Sequence, residues 1–177
     1  MSRGIRPSTT RSTAALWAKS LLNALLFFAI FMVAAPFGAR CLLPSSLPAP
    51  GWLHGAAAVL FIAGMALWAV CLDVFSRRGR GTPFPLDAPR ELATSGPFAI
   101  VRNPIMVAEL AVIWAEAFYL STLGVYLYAV VATLAGWLAV IFVEEPELRQ
   151  RFGARYEEYC SRVPRWLPRL RTRQSVR

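Results

Sequence analysis

The sequence predicts an all-α, polytopic membrane protein with about four transmembrane helices, the last two forming a C-terminal hairpin followed by an amphipathic surface helix. Of its 177 residues, 56% are hydrophobic and only 16% charged, against roughly 25% charged in soluble domains. The apolar residues gather in runs long enough to cross a ~30 Å hydrocarbon core at ~1.5 Å per residue. Those runs also lack the polar face that a soluble bundle needs.

Residues 1–12 form a tail, and residues 13–75 hold the first two helices, which read as scaffold. The first apolar run is Ala14 to Ala35, with Lys19 and Asn23 in its first half. Arg3, Arg6 and Arg11 before it resemble the start of a signal peptide, but the run is too long and lacks an obvious small-x-small site followed by a soluble domain, so it reads as a retained helix. Pro36, Pro44, Pro48 and Pro50 make the following connection stiff. The second run is Trp52 to Phe75, with His54 at its outer mouth and Asp73 near its end.

Residues 76–169 form the core of the chain, and 170–177 a basic tail. Ser76 to Asn103 is too long for a plain hairpin connection, and loops of that length are usually functional or disordered. Leu86, Leu92, Phe98 and Ile100 suggest that it folds back on the membrane surface. Its Gly79-Arg80-Gly81 is no phosphate loop, since no Gly-Lys-Ser/Thr follows. Pro104 to Tyr119 and Leu123 to Val143 are the third and fourth runs, joined by Leu120, Ser121 and Thr122, hence an antiparallel hairpin. From Glu147 to Arg165, Leu148, Phe152, Tyr156 and Tyr159 recur at helical spacing, the pattern of an amphipathic helix lying on the bilayer or covering a site above the hairpin.

Charge sets the orientation. Of 19 Lys and Arg residues, Arg40 alone falls on one side of the alternating segments. The positive-inside rule then places both termini in the cytoplasm of what reads as a bacterial inner-membrane protein. The net charge of +9 fits arginines beside anionic lipid headgroups better than nucleic-acid binding, at ~1 kcal/mol per residue. Three cysteines without ligand spacing and a single histidine argue against a metal site.

Polar residues concentrate at the cytoplasmic end of the hairpin. Asn103 and Pro104 are ordinary helix-start residues, but Arg102 beside them opposes the positive helix N-terminus and calls for an anionic ligand or acidic partner. Glu144 and Glu145 precede Pro146 where the fourth run ends. They either cap a following helix or face Arg102 across the open end of the hairpin and bind a polar ligand there. Glu109 and Glu116 share one face of the third run, and intramembrane carboxylates are costly enough to face protein or water. Glu109 lies about 7 Å inside the helix start, close enough to share a site with Arg102.

These residues resemble the isoprenylcysteine carboxyl methyltransferase family and the bacterial phospholipid methyltransferases that share its pattern. The likeness rests on Gly96-Pro97-Phe98, Val101-Arg102-Asn103-Pro104, Glu144-Glu145-Pro146-x-Leu148, Phe152-Gly153-x-x-Tyr156-x-x-Tyr159 and Val163-Pro164-Arg165. Upstream, Gly81-Thr82-Pro83-x-Pro85 and Pro89-Arg90-x-Leu92 also match bacterial relatives, so the likeness runs from about Gly79 to Pro168. It implies S-adenosylmethionine-dependent methyl transfer to a lipid-like or small apolar acceptor, a carboxylate or an amine. By the same likeness Gly96, Pro97, Arg102, Asn103, Pro104, Glu144 and Glu145 would hold the cofactor, and Arg102, Glu145 and Glu109 would act in catalysis. The chain departs from the family at Phe98 and Met106, where tyrosine is common, at Asn103, where histidine is common, and at Ala108, where glycine is common. Two other readings are a lipid- or partner-binding relative without activity and a reductase of the sterol-reductase type, for which no nicotinamide motif appears.

Overall fold

The computed structural model describes residue 22 and residues 25–78 and 91–168. Both terminal tails, Lys19, Asn23, Arg80, Leu86, Arg90 and the Gly81-Thr82-Pro83-x-Pro85 motif lie outside the described residues. Five helices are present among the described residues: α1 (Leu25–Leu42), α2 (Trp52–Arg78), α3 (Pro104–Leu120), α4 (Leu123–Phe152) and α5 (Ala154–Arg162), with a 3₁₀ turn at Gly96–Ala99. No strand is present among them, only an isolated bridge between Ser46 and Thr122.

Three of the helices, α1, α2 and α4, are long and apolar enough to cross a bilayer. The expected fourth span, α3, has 17 residues, about 26 Å of helix. It is flanked by α2 and α4, and Ala108, Val112, Ile113, Ala115 and Ala117 are buried along it. The core joins Val112, Ile113 and Ala117 of α3 to Val125 and Ala129 of α4 and Met32 of α1. Large apolar side chains such as Val59, Ile62, Leu134 and Phe142 point outward instead, as lipid-facing surfaces do.

The first and fourth helices run further than their prolines suggest. The run expected to stop at Ala35 continues through Pro36 to Leu42, and the helix expected to close at Val143 continues through Pro146 to Phe152. A proline inside a helix lacks its N–H and clashes with the carbonyl four residues earlier. In both helices a π-helical turn, Phe28–Ala34 in α1 and Val140–Glu144 in α4, ends two residues before the proline. The wider turn moves the offending carbonyl aside, so neither chain has to break.

The expected surface helix divides in two. Gly153, at φ +52°, ends α4 and starts α5 on a new axis. The apolar face of α5 is covered by protein: Tyr156, Tyr159 and Val163 pack with Leu92, Leu148 and Phe152. It therefore closes over the charged end of the hairpin.

At the other end, backbone bonds tie the α1–α2 connection to the turn of the hairpin. Leu47 N–H donates to Ser121 O (2.8 Å), Leu123 N–H to Ser45 O (2.9 Å) and Gly124 N–H to Leu43 O (3.1 Å).

Close approach of α2 and α3 depends on Gly64, where a Cβ would lie 3.0 Å from both the Ala108 carbonyl oxygen and Val112 Cγ2. The departure at position 108 is thus balanced by a glycine on the facing helix. Gly64→Leu is expected to destabilise the folded protein by about 1–3 kcal/mol, as overpacking does, read as a lower thermal midpoint in detergent.

Candidate functional site

The charged end of the hairpin is organised around Glu145. The π-helical turn offsets the face of α4 so that Glu145 points inward and is buried while Glu144 is exposed. Three guanidiniums surround the buried carboxylate. Arg165 donates from Nε to Oε1 (2.6 Å) and from Nη2 to Oε2 (2.9 Å). Arg102 Nη1 stands 3.2 Å from Oε1 and Arg149 Nη2 3.6 Å from Oε2. Opposite charges this close favour the ionised carboxylate. Arg149 also pairs with Glu157 at 2.9 Å, which leaves Arg102 and Arg165 sharing one anion.

Arg102 thus has the acidic partner that its place before α3 demands. Its Nη1 also faces the Cys160 sulfur, while its backbone N–H donates to Pro164 O at 2.9 Å. Its Nε is buried without a hydrogen-bond partner among the described residues. An unpaired buried donor on a cation is costly, and an added anionic or acceptor group would satisfy it.

Asn103 differs from its expected capping role. Its side chain makes no cap bond; Nδ2 reaches the Arg165 carbonyl at 3.4 Å instead. Its own carbonyl accepts from Val107 N–H (3.2 Å), so α3 is started by backbone alone with Pro104 at its first turn. Gly96 adopts φ +60°, and a Cβ there would meet Val74 Cγ2 at 3.1 Å. Pro97 O accepts from Ile100 and Val101 N–H, closing the turn that leads to Arg102.

Glu144 does not face Arg102. Among the described residues no cation pairs with it. Glu109 is half-buried on α3, accepts a hydrogen bond from the Trp68 side chain of α2, and lies within electrostatic range of Glu144 and Cys71. The end of the hairpin thus separates into a cation-rich centre at Glu145 and an acidic one at Glu109 and Glu144. Glu116, deeper in α3, has a buried oxygen without a partner among the described residues. It lies within range of Tyr128 of α4 and apart from this end of the hairpin.

Arg149, Arg165 and Cys160 were not singled out as site residues by sequence. Arg165 stands in the Val-Pro-Arg motif, but it lies 20 residues from Glu145, and only the turn at Gly153 brings the two together. Tyr159 Oη donates to Phe98 O at 2.6 Å, pinning α5 to the turn before Arg102. Burial pushes the phenols of Tyr156 and Tyr159 above their ordinary range, so Tyr159 stays a neutral donor. Tyr159→Phe removes that hydrogen bond, an expected loss of about 0.5–1.5 kcal/mol, read by thermal unfolding in detergent.

Residues 52–155 match the model of a family described as phospholipid methyltransferase. Over 77 residues the chain is 39% identical to methanethiol S-methyltransferase 2 of Bradyrhizobium diazoefficiens. That alignment takes in 44% of this chain and 29% of the relative, so the chain matches less than a third of that protein's length. The family match covers α2, α3 and α4 and stops one residue before Tyr156.

Proposed function

Since this chain belongs to the phospholipid methyltransferase family, we propose that it is an S-adenosylmethionine-dependent methyltransferase working at the cytoplasmic membrane face. It has four spans, α1 to α4, and its acceptor is lipid-like or a small apolar molecule. The observation that carries the reading is the group around Glu145, where Arg102, half-buried and with a buried, free Nε, exceeds what one carboxylate can satisfy.

The residues present fit the cofactor. Its amino-acid carboxylate matches the surplus of Arg102 and Arg165, and its positive sulfur matches the acidic pair Glu109 and Glu144. When bound, S-adenosylmethionine supplies an electrophilic methyl group. The contribution of the chain is to bind and orient, which is where much of the rate of an in-line displacement comes from. Gly96, Pro97, Asn103 and Pro104 set the path of the backbone on which Arg102 stands. Glu145, held by three arginines, is a poor base. Glu109, facing none of these cations, is the carboxylate that takes a proton from an amine or thiol acceptor at its Oε atoms. A carboxylate acceptor needs no base.

Calorimetry with S-adenosylhomocysteine on detergent-solubilised protein tests the proposal. Saturable binding is expected in the wild type and its loss in Arg102→Gln, with circular dichroism confirming that the variant is folded. Folded wild-type protein that binds nothing at millimolar ligand would refute the methyltransferase reading and leave a lipid-binding relative in its place.

A further inference from the structure

Two seams flank α3, one against α2 and one against α4, and both are filled in the first half of the helix. On the α2 side the contact is with backbone. An added Cβ at Gly64 would stand 3.0 Å from the Ala108 carbonyl oxygen and 3.2 Å from Ala111 Cβ. That seam widens only if the helices separate.

The α4 side is filled differently. A Cβ on Gly136 would lie 2.6 Å from Met106 Sδ and 3.1 Å from its Cε. The thioether of Met106 therefore occupies the space that any side chain at position 136 would take. Met106 stands in the first turn of α3, which opens two residues after Arg102, and one turn before Glu109. Methionine has three rotatable side-chain bonds and fills irregular gaps adaptably. It can turn aside for a group of its own width without the helices parting. A phospholipid, with its glycerol, phosphate and two chains, is much wider than the space one methionine side chain gives up.

We infer that Met106, seated on Gly136, sets the size limit of the methyl acceptor, and that the acceptor is a small apolar thiol or amine rather than a diacyl phospholipid. This rests on the methyltransferase reading above. Met106 is a specificity-determining residue here; the proton acceptor is Glu109, one turn further on.

The experiment uses purified protein in detergent or nanodiscs, a methyl-labelled donor, straight-chain thiols and amines of increasing length, and phosphatidylethanolamine vesicles. The wild type is expected to prefer short acceptors over phosphatidylethanolamine by about 10-fold or more in kcat/KM. Met106→Ala should move the preference toward longer chains by a similar factor, Met106→Leu should keep it, and both should bind S-adenosylhomocysteine as the wild type does. Equal labelling of phosphatidylethanolamine and short acceptors by the wild type overturns the inference and leaves the methyltransferase reading intact. So does a Met106→Ala variant with unchanged preference, or cofactor binding without transfer to either class. Folded wild type that neither binds S-adenosylhomocysteine nor labels any acceptor overturns the reading and the inference together.

Discussion

Replacing Glu145 with alanine is expected to cost about 3–5 kcal/mol of folding stability, because removing one partner of a buried ionic group leaves the others uncompensated. The carboxylate is buried, with Arg102, Arg149 and Arg165 all within 3.6 Å. Without it, Arg102 and Arg165 repel each other in a poorly solvated place, and α5 loses its hold on α4. Glu145→Gln keeps the shape and an acceptor oxygen but not the charge, so its loss should be smaller than that of alanine. Adding Arg165→Gln to Glu145→Gln should recover part of the stability, since the second change removes a stranded cation. Thermal unfolding in detergent of the wild type, Glu145→Gln, Arg165→Gln and the double variant reads the cycle. Additive losses would mean that the pair seen at 2.6 and 2.9 Å carries no coupling.

The second large effect is expected at the opposite end of the molecule. A Cβ at Gly124 would lie 2.0 Å from the Ala39 carbonyl oxygen and 2.7 Å from its carbon. Both are backbone atoms, so no rotamer change relieves the contact and α1 must withdraw from α4. Gly124→Ala should therefore exceed the ~1–3 kcal/mol usual for overpacking and greatly reduce the yield of folded protein. Gly55 is the control: no atom lies within 4 Å of its would-be Cβ. Gly55→Ala should be neutral or stabilise by up to about 1 kcal/mol through helix propensity.

Much of the architecture was legible because lipid imposes a simple pattern on sequence. Long apolar runs and a three-residue joint were enough to place α2, α3 and the hairpin. The ends of α1 and α4 were not legible. Pro36 and Pro146 are stop signals in an ordinary helix, and the π-helical turns that carry the chain past them leave no compositional mark. The same turn in α4 decides between Glu144 and Glu145, which are equivalent on paper; one faces three arginines and the other none of them. Arg102 was legible because it sits awkwardly at a helix start. Arg165 and Arg149 were not, since the tail is rich in arginine and only the fold selects among them. Ala108 was legible as an alanine where a glycine was expected, but the glycine on the facing helix, Gly64, could not be matched to it before the two helices were seen side by side.

The two ends of the hairpin are fastened by different chemistry. At the turn, main-chain hydrogen bonds join Leu43, Ser45 and Leu47 to Ser121, Leu123 and Gly124; neither pH nor salt alters their charge. At the other end an ionic group is added to apolar packing and to the Tyr159–Phe98 bond, and its outer pair, Arg149 with Glu157, is exposed and open to screening. The molecule is built like a pair of tongs, with a fixed pivot at one side of the bilayer and jaws at the other. Opening is then expected at the jaws, and amide exchange rising with salt in α5 but not at Ser121 to Gly124 is its expected mark.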